Sequence, residues 1–301
     1  MKHLLKLSDL SAGEIIDILN LADQLKFELK HGIKHHKLKG KTLAMIFTKS
    51  STRTRVSFEV GITQLGGTGL FLSANDLQLG RGEPISDTAK VLSRYVNGIM
   101  IRTFKQSDVE DLAKYGTVPV INGLTDYAHP CQVLADLMTI REFKGTFKGL
   151  KLAFVGDGNN MANSLIVGCI KLGMNVAIAC PKKHTPDADI VKWGMETGLL
   201  TVTEDIKAAI TNADVVYTDV WASMGQEGEI AERKREFSAY QVNSENMALA
   251  KCDAIVLHCL PAHRGEEITD EIMVKHEASI LEEAENRLHA QKAVMVKLMG
   301  K

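Results

Sequence analysis

Short apolar runs alternate with amphipathic stretches along most of the chain. The runs show little polar alternation, which is typical of strands covered on both faces. They predict strands at 42–47, 69–72, 98–101, 118–121, 151–155, 175–179, 200–202, 214–217 and 254–257. Helical patterns lie between most of these runs, and this order is the signature of β-α-β units in a parallel sheet. The pattern therefore predicts an α/β protein.

A polar, glycine-punctuated stretch at 143–149 separates two such sets of strands. One helical pattern precedes it from residue 130, and another runs from 281 to 299. We expect two doubly wound parallel-sheet domains joined by interdomain helices, since 301 residues can form two cores. The first would comprise 1–135, with a C-terminal helix of about 283–301 packing back on it, and the second 150–282.

Composition excludes several classes of protein. A net charge of −1 gives no basic field suited to a nucleic-acid backbone. No apolar run approaches the ~20 residues that span a bilayer, and the first fifteen residues carry acids without the apolar core of a signal peptide. The five cysteines include no CxxC pair, which argues for a reducing compartment and against a disulfide framework or structural zinc. We expect a cytoplasmic protein.

Polar and reactive residues follow the predicted strands, where parallel α/β sheets bind their ligands. They are 51–55, Arg102, 129–132, 156–160, Asp219 with 221–225, and 258–261. Each has an ordinary explanation, such as Pro130 in a first helical turn or Asn160 as a helix cap. Because all of them lie at the same topological position, we expect a ligand site there. The stretch from Trp221 to Phe237 is predicted to be irregular, with 221–225 as a mobile lid.

The Ser-Thr-Arg-Thr-Arg sequence at 51–55 is the strongest single signal. It lies between a predicted strand and a predicted helix, where the amides of a helix N-terminus favour anions. Guanidinium groups offer bidentate hydrogen bonds to phosphate, and hydroxyl groups can complete the shell. The segment therefore predicts a phosphate site, although Arg55 is expected to pair with Glu59 one helical turn later.

Together, Ser-Thr-Arg-Thr-Arg, His129-Pro-Cys-Gln, Asp157-Gly-Asn-Asn, Ser223-Met-Gly and His258-Cys-Leu-Pro resemble the ornithine carbamoyltransferases, from about Leu5 to the final helix. The first two motifs resemble carbamoyltransferases generally. The last two point to ornithine rather than aspartate. One departure is Thr48, where many relatives are expected to carry an acid, and its effect on the loop stays open.

The resemblance implies transfer of the carbamoyl group from carbamoyl phosphate to the δ-amine of L-ornithine, giving L-citrulline and phosphate with no metal or other cofactor. It also implies a homotrimer, or a multiple of trimers, in which Gln78 reaches the site of a neighbouring subunit. Alternatives are another amine, such as putrescine, and the catabolic phosphorolysis of citrulline. The implied catalytic residues are Arg102, His129 and Cys259. The implied carbamoyl-phosphate ligands are Ser51, Thr52, Arg53, Thr54, Gln78, Arg102, His129, Gln132, Cys259, Leu260 and Arg287. The implied ornithine ligands are Asn160, Asp219, Ser223 and Met224.

Charge arguments orient the ornithine within these ligands. A lysine-like amine has a pKa of ~10.4, so only about one molecule in a few thousand is neutral at pH 7. A carboxylate beside that amine would favour its charged, unreactive form. We therefore assign Asp219 to the α-ammonium and Asn160 to the α-carboxylate side. The δ-amine is then expected to face Cys259 and Leu260.

Other interpretations of these residues are weaker. The Gly156-Asp-Gly-Asn-Asn sequence superficially resembles a dinucleotide fingerprint, but Met161 replaces the third glycine and the next strand ends in Cys180 rather than an acid. Cys259 can be imagined as a catalytic thiolate with His129 or His258 as base, yet a contact to substrate is favoured. A non-catalytic metabolite-binding protein is a further alternative. Solvated surface is expected for His31, His35 and His36 and for Glu282, Glu283 and Glu285.

Overall fold

The computed structural model describes residues 1–74, 77–78, 82–222 and 227–300, the side chain of Glu227 excepted. The strands are Thr42–Phe47 (β1), Thr68–Ser73 (β2), Gly98–Arg102 (β3), Val120–Leu124 (β4), Lys151–Val155 (β5), Asn175–Ala179 (β6), Leu200–Thr203 (β7), Val215–Thr218 (β8) and Ile255–Leu257 (β9). The helices are Ala12–Lys30 (α1), Thr52–Gln64 (α2), Ile85–Leu92 (α3), Gln106–Tyr115 (α4), Pro130–Lys144 (α5), Asn160–Lys171 (α6), Ala188–Glu196 (α7), Ile206–Ile210 (α8), Ile230–Glu236 (α9), Ser244–Met247 (α10), Asp270–Lys275 (α11) and Glu277–Met299 (α12).

The chain divides into two compact units. Unit 1 comprises Met1–Ala135 with Arg287–Lys301, and unit 2 comprises Asp136–Asn286. Unit 1 contains a parallel sheet of order β2-β1-β3-β4, and unit 2 one of order β7-β6-β5-β8-β9. The predicted α/β class with two parallel sheets is confirmed. No helix in the described ranges is long and apolar enough to cross a bilayer.

The strand order identifies a ligand-binding position in each sheet. From β1 the chain adds β2 on one side and then β3 on the other, so the order reverses between β1 and β3. The same reversal separates β5 and β8 in unit 2. Ligands of open α/β sheets bind beyond the carboxyl ends of the strands at such points. A ligand is therefore expected at the segments that follow β1 and β3 in unit 1, and at those that follow β5 and β8 in unit 2.

A buried ammonium group lies among the helices of unit 1. Lys292 of α12 is fully buried, and its Nζ lies 3.0 Å from both Gln64 Oε1 and His35 Nε2. The other ring nitrogen of His35 lies 3.1 Å from the Ile33 carbonyl oxygen. His35 is only 6% exposed, so its predicted position on the solvated surface was wrong, whereas His31 and His36 are exposed. The reason is a buried lysine that comes far later in the sequence and needs an acceptor.

This ammonium predicts a pH dependence of stability. Burial lowers the pKa of Lys292 from 10.5 to about 8, against the opposing effect of Glu28. Between pH 8 and 10.5 the unfolded chain therefore binds more protons at this group, and its contribution to the free energy of unfolding rises with pH. Lys292→Met should remove this rise, whereas Lys297→Met, on the same helix but more exposed, should keep it. Denaturant unfolding across that range measures both variants, and an unchanged pH slope in Lys292→Met would refute the argument.

Candidate active site

The loop after β1 and the first turn of α2 form an anion-binding arrangement. Ser51 is the N-cap of α2, and its Oγ accepts from the Thr54 amide at 3.2 Å. Thr54 is buried, and its Oγ1 lies 3.1 Å from Ser51 Oγ. Thr52 and Arg53 lie in the same turn and are exposed in this chain. The capping role of Ser51 thus coexists with a turn that presents hydroxyl, amide and guanidinium groups to an anion.

Arg102, the last residue of β3, lies beside this turn. Its side chain is buried, and Nη1 donates to Thr54 Oγ1 at 3.1 Å. With Ser51 donating to the same oxygen, the hydroxyl hydrogen of Thr54 is available to a bound anion. The Arg102 carbonyl accepts from Thr48 N at 2.9 Å and Thr48 Oγ1 at 3.2 Å. Thr48 therefore joins the β1 loop to β3 twice: any residue at this position could make the backbone hydrogen bond, whereas an acid could replace the side-chain hydrogen bond only if it were protonated.

His129 and Gln132 lie at the start of α5, and Arg287 of α12 belongs to the same unit. Arg287 donates from Nη1 to Gln132 Oε1. The Gln291 amide is best oriented with its oxygen towards this guanidinium, 2.9 Å from Nη2. Burial lowers the pKa of His129 well below its ordinary value, and the positive charges of Arg287, Arg102 and Arg53 lower it further. His129 is therefore a neutral imidazole, able to donate one N–H but not to act as an imidazolium.

Sequence reasoning missed Lys49. Its side chain is buried, and its Nζ donates to Asp126 Oδ1 and lies 4.2 Å from the centre of the Phe104 ring. The contact joins the β1 loop to the loop after β4. The available signal was a lysine two residues before the phosphate-type motif at 51–55. Because the Asp126 carboxylate compensates this ammonium, the contact holds the loop that leads into the Ser51 turn.

In unit 2, Asp219 directly follows β8 and gathers three donors. Its Oδ1 accepts from Val220 N at 2.8 Å and from Cys259 Sγ at 3.1 Å, and its Oδ2 accepts from Asn159 Nδ2 at 3.0 Å. Asn159 is the N-cap of α6 and was missed, because the sequence has two adjacent asparagines and only Asn160 was considered, as an ornithine ligand or, in its ordinary explanation, as the cap. Asn160 is instead the first residue of the helix and is half-buried.

The glycine pattern that precedes these asparagines serves packing. A Cβ on Gly158 would lie 2.3 Å from the backbone nitrogen of Pro186. No side chain fits there, so Gly158 lets the loop after β5 pack against residues 184–186. Met161 is buried on α6. These contacts explain why the sequence resembles a dinucleotide fingerprint without a dinucleotide being required.

The Cys259–Leu260 segment is held by its neighbours on both sides. The His258 amide donates to Glu283 Oε2 at 2.7 Å, and the Leu260 amide donates to His258 Nδ1 at 2.9 Å. The other ring nitrogen of His258 lies 3.2 Å from Glu267 Oε1. Leu260 has a φ of +56°, which is rare for a non-glycine residue. These contacts hold the loop in a conformation that its own sequence disfavours.

Glu283 corrects another prediction. It is completely buried and accepts from the Tyr217 hydroxyl at 3.1 Å as well as from His258, whereas Glu282 is half-buried and Glu285 exposed. A solvated face was predicted for all three, which is wrong for Glu283. Its partners lie on β8 and after β9, so the charge pattern of the helix could not reveal them.

Cys259 does not have the properties of a nucleophile. Burial raises the pKa of its thiol well above the ordinary value, and the Asp219 carboxylate raises it further. His258 is also not placed to act as the base, because its Nδ1 accepts from the Leu260 amide. The thiolate interpretation therefore has no support, and the protonated thiol is a donor to Asp219.

Two side-chain groups within the described ranges are close enough to share a metal ion: Asp219, His258 and Cys259, and His263, Glu266 and Glu267. In the first, both ring nitrogens of His258 already have partners and the thiol resists deprotonation. In the second, Glu266 pairs with Lys234 at 2.7 Å, and Glu267 accepts from the His263 amide at 2.5 Å. Ligand atoms engaged in this way suit a metal poorly.

The remaining predicted positions are distributed as follows. Gln78 is exposed, and Arg55 pairs with Glu59 at 3.2 Å as predicted. Ser223 and Met224 lie outside the described residues. The predicted irregular stretch to Phe237 was wrong in part, because Ile230–Glu236 forms α9. The structure thus groups Ser51, Thr54 and Arg102 at one switch point and Asn159, Asp219 and Cys259 at the other.

Known protein families match this chain in two parts, one for each of these two groups of residues. Residues 2–142 match the family model for the aspartate/ornithine carbamoyltransferase carbamoyl-P binding domain, and residues 148–298 match that for the Asp/Orn binding domain. The ornithine carbamoyltransferase of Carboxydothermus hydrogenoformans is 57% identical, over 99% of this chain and 98% of that protein.

Solved structures extend the similarity to the fold. The ornithine carbamoyltransferase of Pyrococcus furiosus has a TM-score of 0.95 at 54% identity, covering 99% of this chain and 97% of that chain. The anabolic ornithine carbamoyltransferase of Campylobacter jejuni has a TM-score of 0.92 at 44% identity, with 99% of each chain covered. The chain therefore belongs to the aspartate/ornithine carbamoyltransferase family, and within it to the ornithine carbamoyltransferases.

Proposed function

We propose that this chain transfers the carbamoyl group of carbamoyl phosphate to the δ-amine of L-ornithine, giving L-citrulline and phosphate. The observation that carries the proposal is the 3.1 Å contact between Asp219 and Cys259. Asp219 lies shortly before the Ser223-Met-Gly sequence, and Cys259 lies within the His258-Cys-Leu-Pro sequence. These are the two motifs that distinguish ornithine from aspartate as the acceptor.

Carbamoyl phosphate is assigned to unit 1. The Ser51, Thr52, Arg53 and Thr54 turn, with Arg102, would bind the phosphate through charge-assisted hydrogen bonds. Arg287, held by Gln132, would add a further positive charge near the carbamoyl group. The contacts of Cys259, Leu260 and Gln78 with carbamoyl phosphate stay predictions from the resemblance.

The proposed reaction needs an oxyanion site and a good leaving group. The neutral δ-amine attacks the carbamoyl carbon, so a carbon–nitrogen bond forms while the carbon–oxygen bond to phosphate breaks. The carbonyl oxygen becomes an oxyanion in the tetrahedral intermediate, where Arg102, Thr54 and the neutral His129 can donate to it. The phosphate leaves with the bonding electron pair and takes the proton displaced from the amine. Holding the reactants in this register can supply about 7–11 kcal/mol of the barrier reduction.

Ornithine is assigned to unit 2. The Asp219 carboxylate would bind the α-ammonium, with Asn160 on the α-carboxylate side and Ser223 and Met224 completing the pocket. Because the Cys259 thiol donates to that same carboxylate, the proposal places the thiol next to the α-ammonium, in place of the expectation that the δ-amine faces Cys259, and keeps only Leu260 for the δ-amine. A carboxylate there leaves the distant δ-amine free of a counter-charge that would keep it protonated.

An amine panel tests the proposal. Purified protein with carbamoyl phosphate should release phosphate and form a ureido product with ornithine, and should turn over lysine, putrescine and aspartate far more slowly. Preferred turnover of putrescine would keep the phosphate assignment and overturn that of Asp219. Absence of turnover with every amine would favour a non-catalytic binding protein.

We further propose a homotrimer to whose sites Gln78 contributes from a neighbouring subunit. Strand β2 is the edge of its sheet and exposes Leu70 and Phe71, and α2 exposes Val56 and Val60. Exposed apolar side chains beside an unpaired strand edge are typical of an interface. The mass of the assembly in solution tests the trimer.

Subunit mixing tests the placement of Gln78. Gln78→Ala and Arg102→Met should each be weakly active alone, and mixed trimers should regain activity, because some sites then combine an intact Arg102 with a neighbour's intact Gln78. Thr54→Val mixed with Arg102→Met is the control and should regain none, since both residues belong to the same cluster. Equal behaviour of the two mixtures would place Gln78 in its own subunit's site.

The names of relatives support a direction for the reaction, and the cysteines support a location. Relatives from Pyrococcus furiosus and Campylobacter jejuni are named anabolic, which supports citrulline formation for arginine biosynthesis. All five cysteines are free thiols, as a reducing compartment requires, and this supports the cytoplasm.

A further inference from the structure

Arg233 of α9 is a buried arginine that donates to two other segments of unit 2 and to the N-cap residue of its own helix. It is 6% exposed, and its Nη1 lies 2.8 Å from both Asp157 Oδ2 and the Trp221 carbonyl oxygen. Its Nε donates to Glu229 Oε2 at 3.0 Å, four residues earlier. None of these contacts is part of the site described above. A buried guanidinium with this many partners is held in one position.

Two of these partners lie on the segments that build the Asp219 carboxylate site. Asp157 follows β5 and precedes Asn159 by two residues, and Asn159 donates to Asp219 Oδ2 at 3.0 Å. Trp221 follows Asp219 by two residues. Arg233 therefore ties together the segments on either side of the Asn159–Asp219 hydrogen bond. Displacement of either segment would change where the carboxylate points.

Charge gives Arg233 a second effect on Asp219. Asp157 is buried, and burial raises its pKa while Arg233 acts in the opposite direction. Asp219 is close enough to raise the pKa of Asp157 as well. Without the guanidinium, the buried Asp157 carboxylate would lose its hydrogen-bonded cation near the carboxylate assigned to ornithine and keep only His184 at 3.8 Å, which favours a shift of the segment or uptake of a proton.

Further contacts surround Arg233. The His184 Nε2 lies 2.6 Å from Glu236 Oε2, and His184 Nδ1 lies 3.8 Å from Asp157 Oδ1. The Phe237 ring is completely buried and stacks with the Trp221 ring at 6.3 Å. Helix α9 is thus anchored to both segments by packing as well as by charge, so it can serve as a fixed support for Arg233.

We propose that Arg233 is a positioning residue for ornithine: by bridging Asp157 and the Trp221 carbonyl it sets the orientation of the Asp219 carboxylate that receives the α-ammonium. The inference rests on the proposed function, since it assumes ornithine as the acceptor. It assigns to Arg233 no contact with either substrate.

The test compares Arg233→Met and Arg233→Lys with Arg235→Met, an exposed arginine on the same helix. Arg233→Met should raise the KM for ornithine about tenfold or more and leave the KM for carbamoyl phosphate within about twofold. Arg233→Lys keeps the positive charge but not the planar guanidinium that donates to both Asp157 and the Trp221 carbonyl. Its KM for ornithine should therefore lie between those of the wild type and Arg233→Met. Arg235→Met should match the wild type.

A second measurement separates positioning from general loss of structure. L-Norvaline carries the same α-ammonium and α-carboxylate as ornithine but no δ-amine, so its inhibition constant should rise in Arg233→Met by the same factor as the ornithine KM. Equal rises in both substrate KM values, a fall in kcat alone, or unchanged constants would each overturn the inference. If Arg233→Met fails to fold, the test uses Arg233→Lys instead. A rise in its KM for ornithine relative to its KM for carbamoyl phosphate would support the inference, and an unchanged ratio would overturn it. Failure of the wild type itself to use ornithine would instead refute the proposed function.

Discussion

Arg102→Met should lower kcat by about 10²–10³, the usual loss when one donor to a developing oxyanion is removed. Arg102 is buried at the end of β3, and its Nη1 bonds the Thr54 hydroxyl at 3.1 Å, so its guanidinium is fixed before any ligand arrives. A preorganised cation costs no rearrangement as the negative charge grows on the carbonyl oxygen and the phosphate. Methionine fills a similar volume but supplies no charge and no donor. Single-turnover and steady-state kinetics measure the loss.

The control for Arg102 is Arg94→Met, in the exposed turn that leads into the same strand. It should retain wild-type kcat, and both variants should be checked by thermal unfolding. An Arg102→Met enzyme that folds normally and keeps kcat within about threefold of wild type would remove Arg102 from the chemistry.

Asp219→Asn is expected to raise the KM for ornithine about 10- to 150-fold, because a hydrogen bond to a charged group is worth about 1.5–3 kcal/mol. Asparagine keeps the shape of the side chain and an acceptor for Asn159, but loses the charge that would bind an α-ammonium. The KM for carbamoyl phosphate should change by less than about twofold. Initial rates with each substrate varied in turn give both constants.

Strand β8 provides the matched control for Asp219. Asp214 immediately precedes the strand and is also buried, accepting from Lys151 N at 2.8 Å and pairing with Lys251 at 2.7 Å. Asp214→Asn therefore removes a buried carboxylate from the opposite end of the same strand, and should lower stability without changing either KM. Similar effects of the two substitutions on the ornithine KM would mean that Asp219 acts through the fold rather than on ornithine.

Strands β1 and β5 were predictable because both of their faces are buried. Residues 42–47 and 151–155 are short apolar runs without alternation, and β1 and β5 begin and end where those runs do. The signal depends on local composition alone. Helix α9 was not predicted because Ile230–Glu236 consists mainly of charged residues and offers no apolar periodicity.

The errors at the site concern buried polar residues, whose partners are distant in sequence. Glu283 meets the Tyr217 hydroxyl 66 residues away, and Lys292 meets His35 257 residues away. A charged residue on a helix is usually solvated, and only the fold reveals which one is paired inside. Asn159 and Asn160 pose a different problem, since either can cap a helix and only the position of its first turn distinguishes them.

Product analysis with carbamoyl phosphate labelled with ¹³C at the carbonyl tests the proposed chemistry most directly. Wild-type protein and L-ornithine should give a ureido carbon bonded to the δ-nitrogen, seen by its NMR coupling to the δ-methylene protons, with phosphate released in equal amount. That result would establish the reaction and the attack by the δ-nitrogen, which the assignment of Asp219 to the α-ammonium requires. A labelled ureido carbon bonded to the α-nitrogen would contradict the assignment of the α-ammonium to Asp219. Phosphate release without a labelled ureido product would contradict the transfer itself.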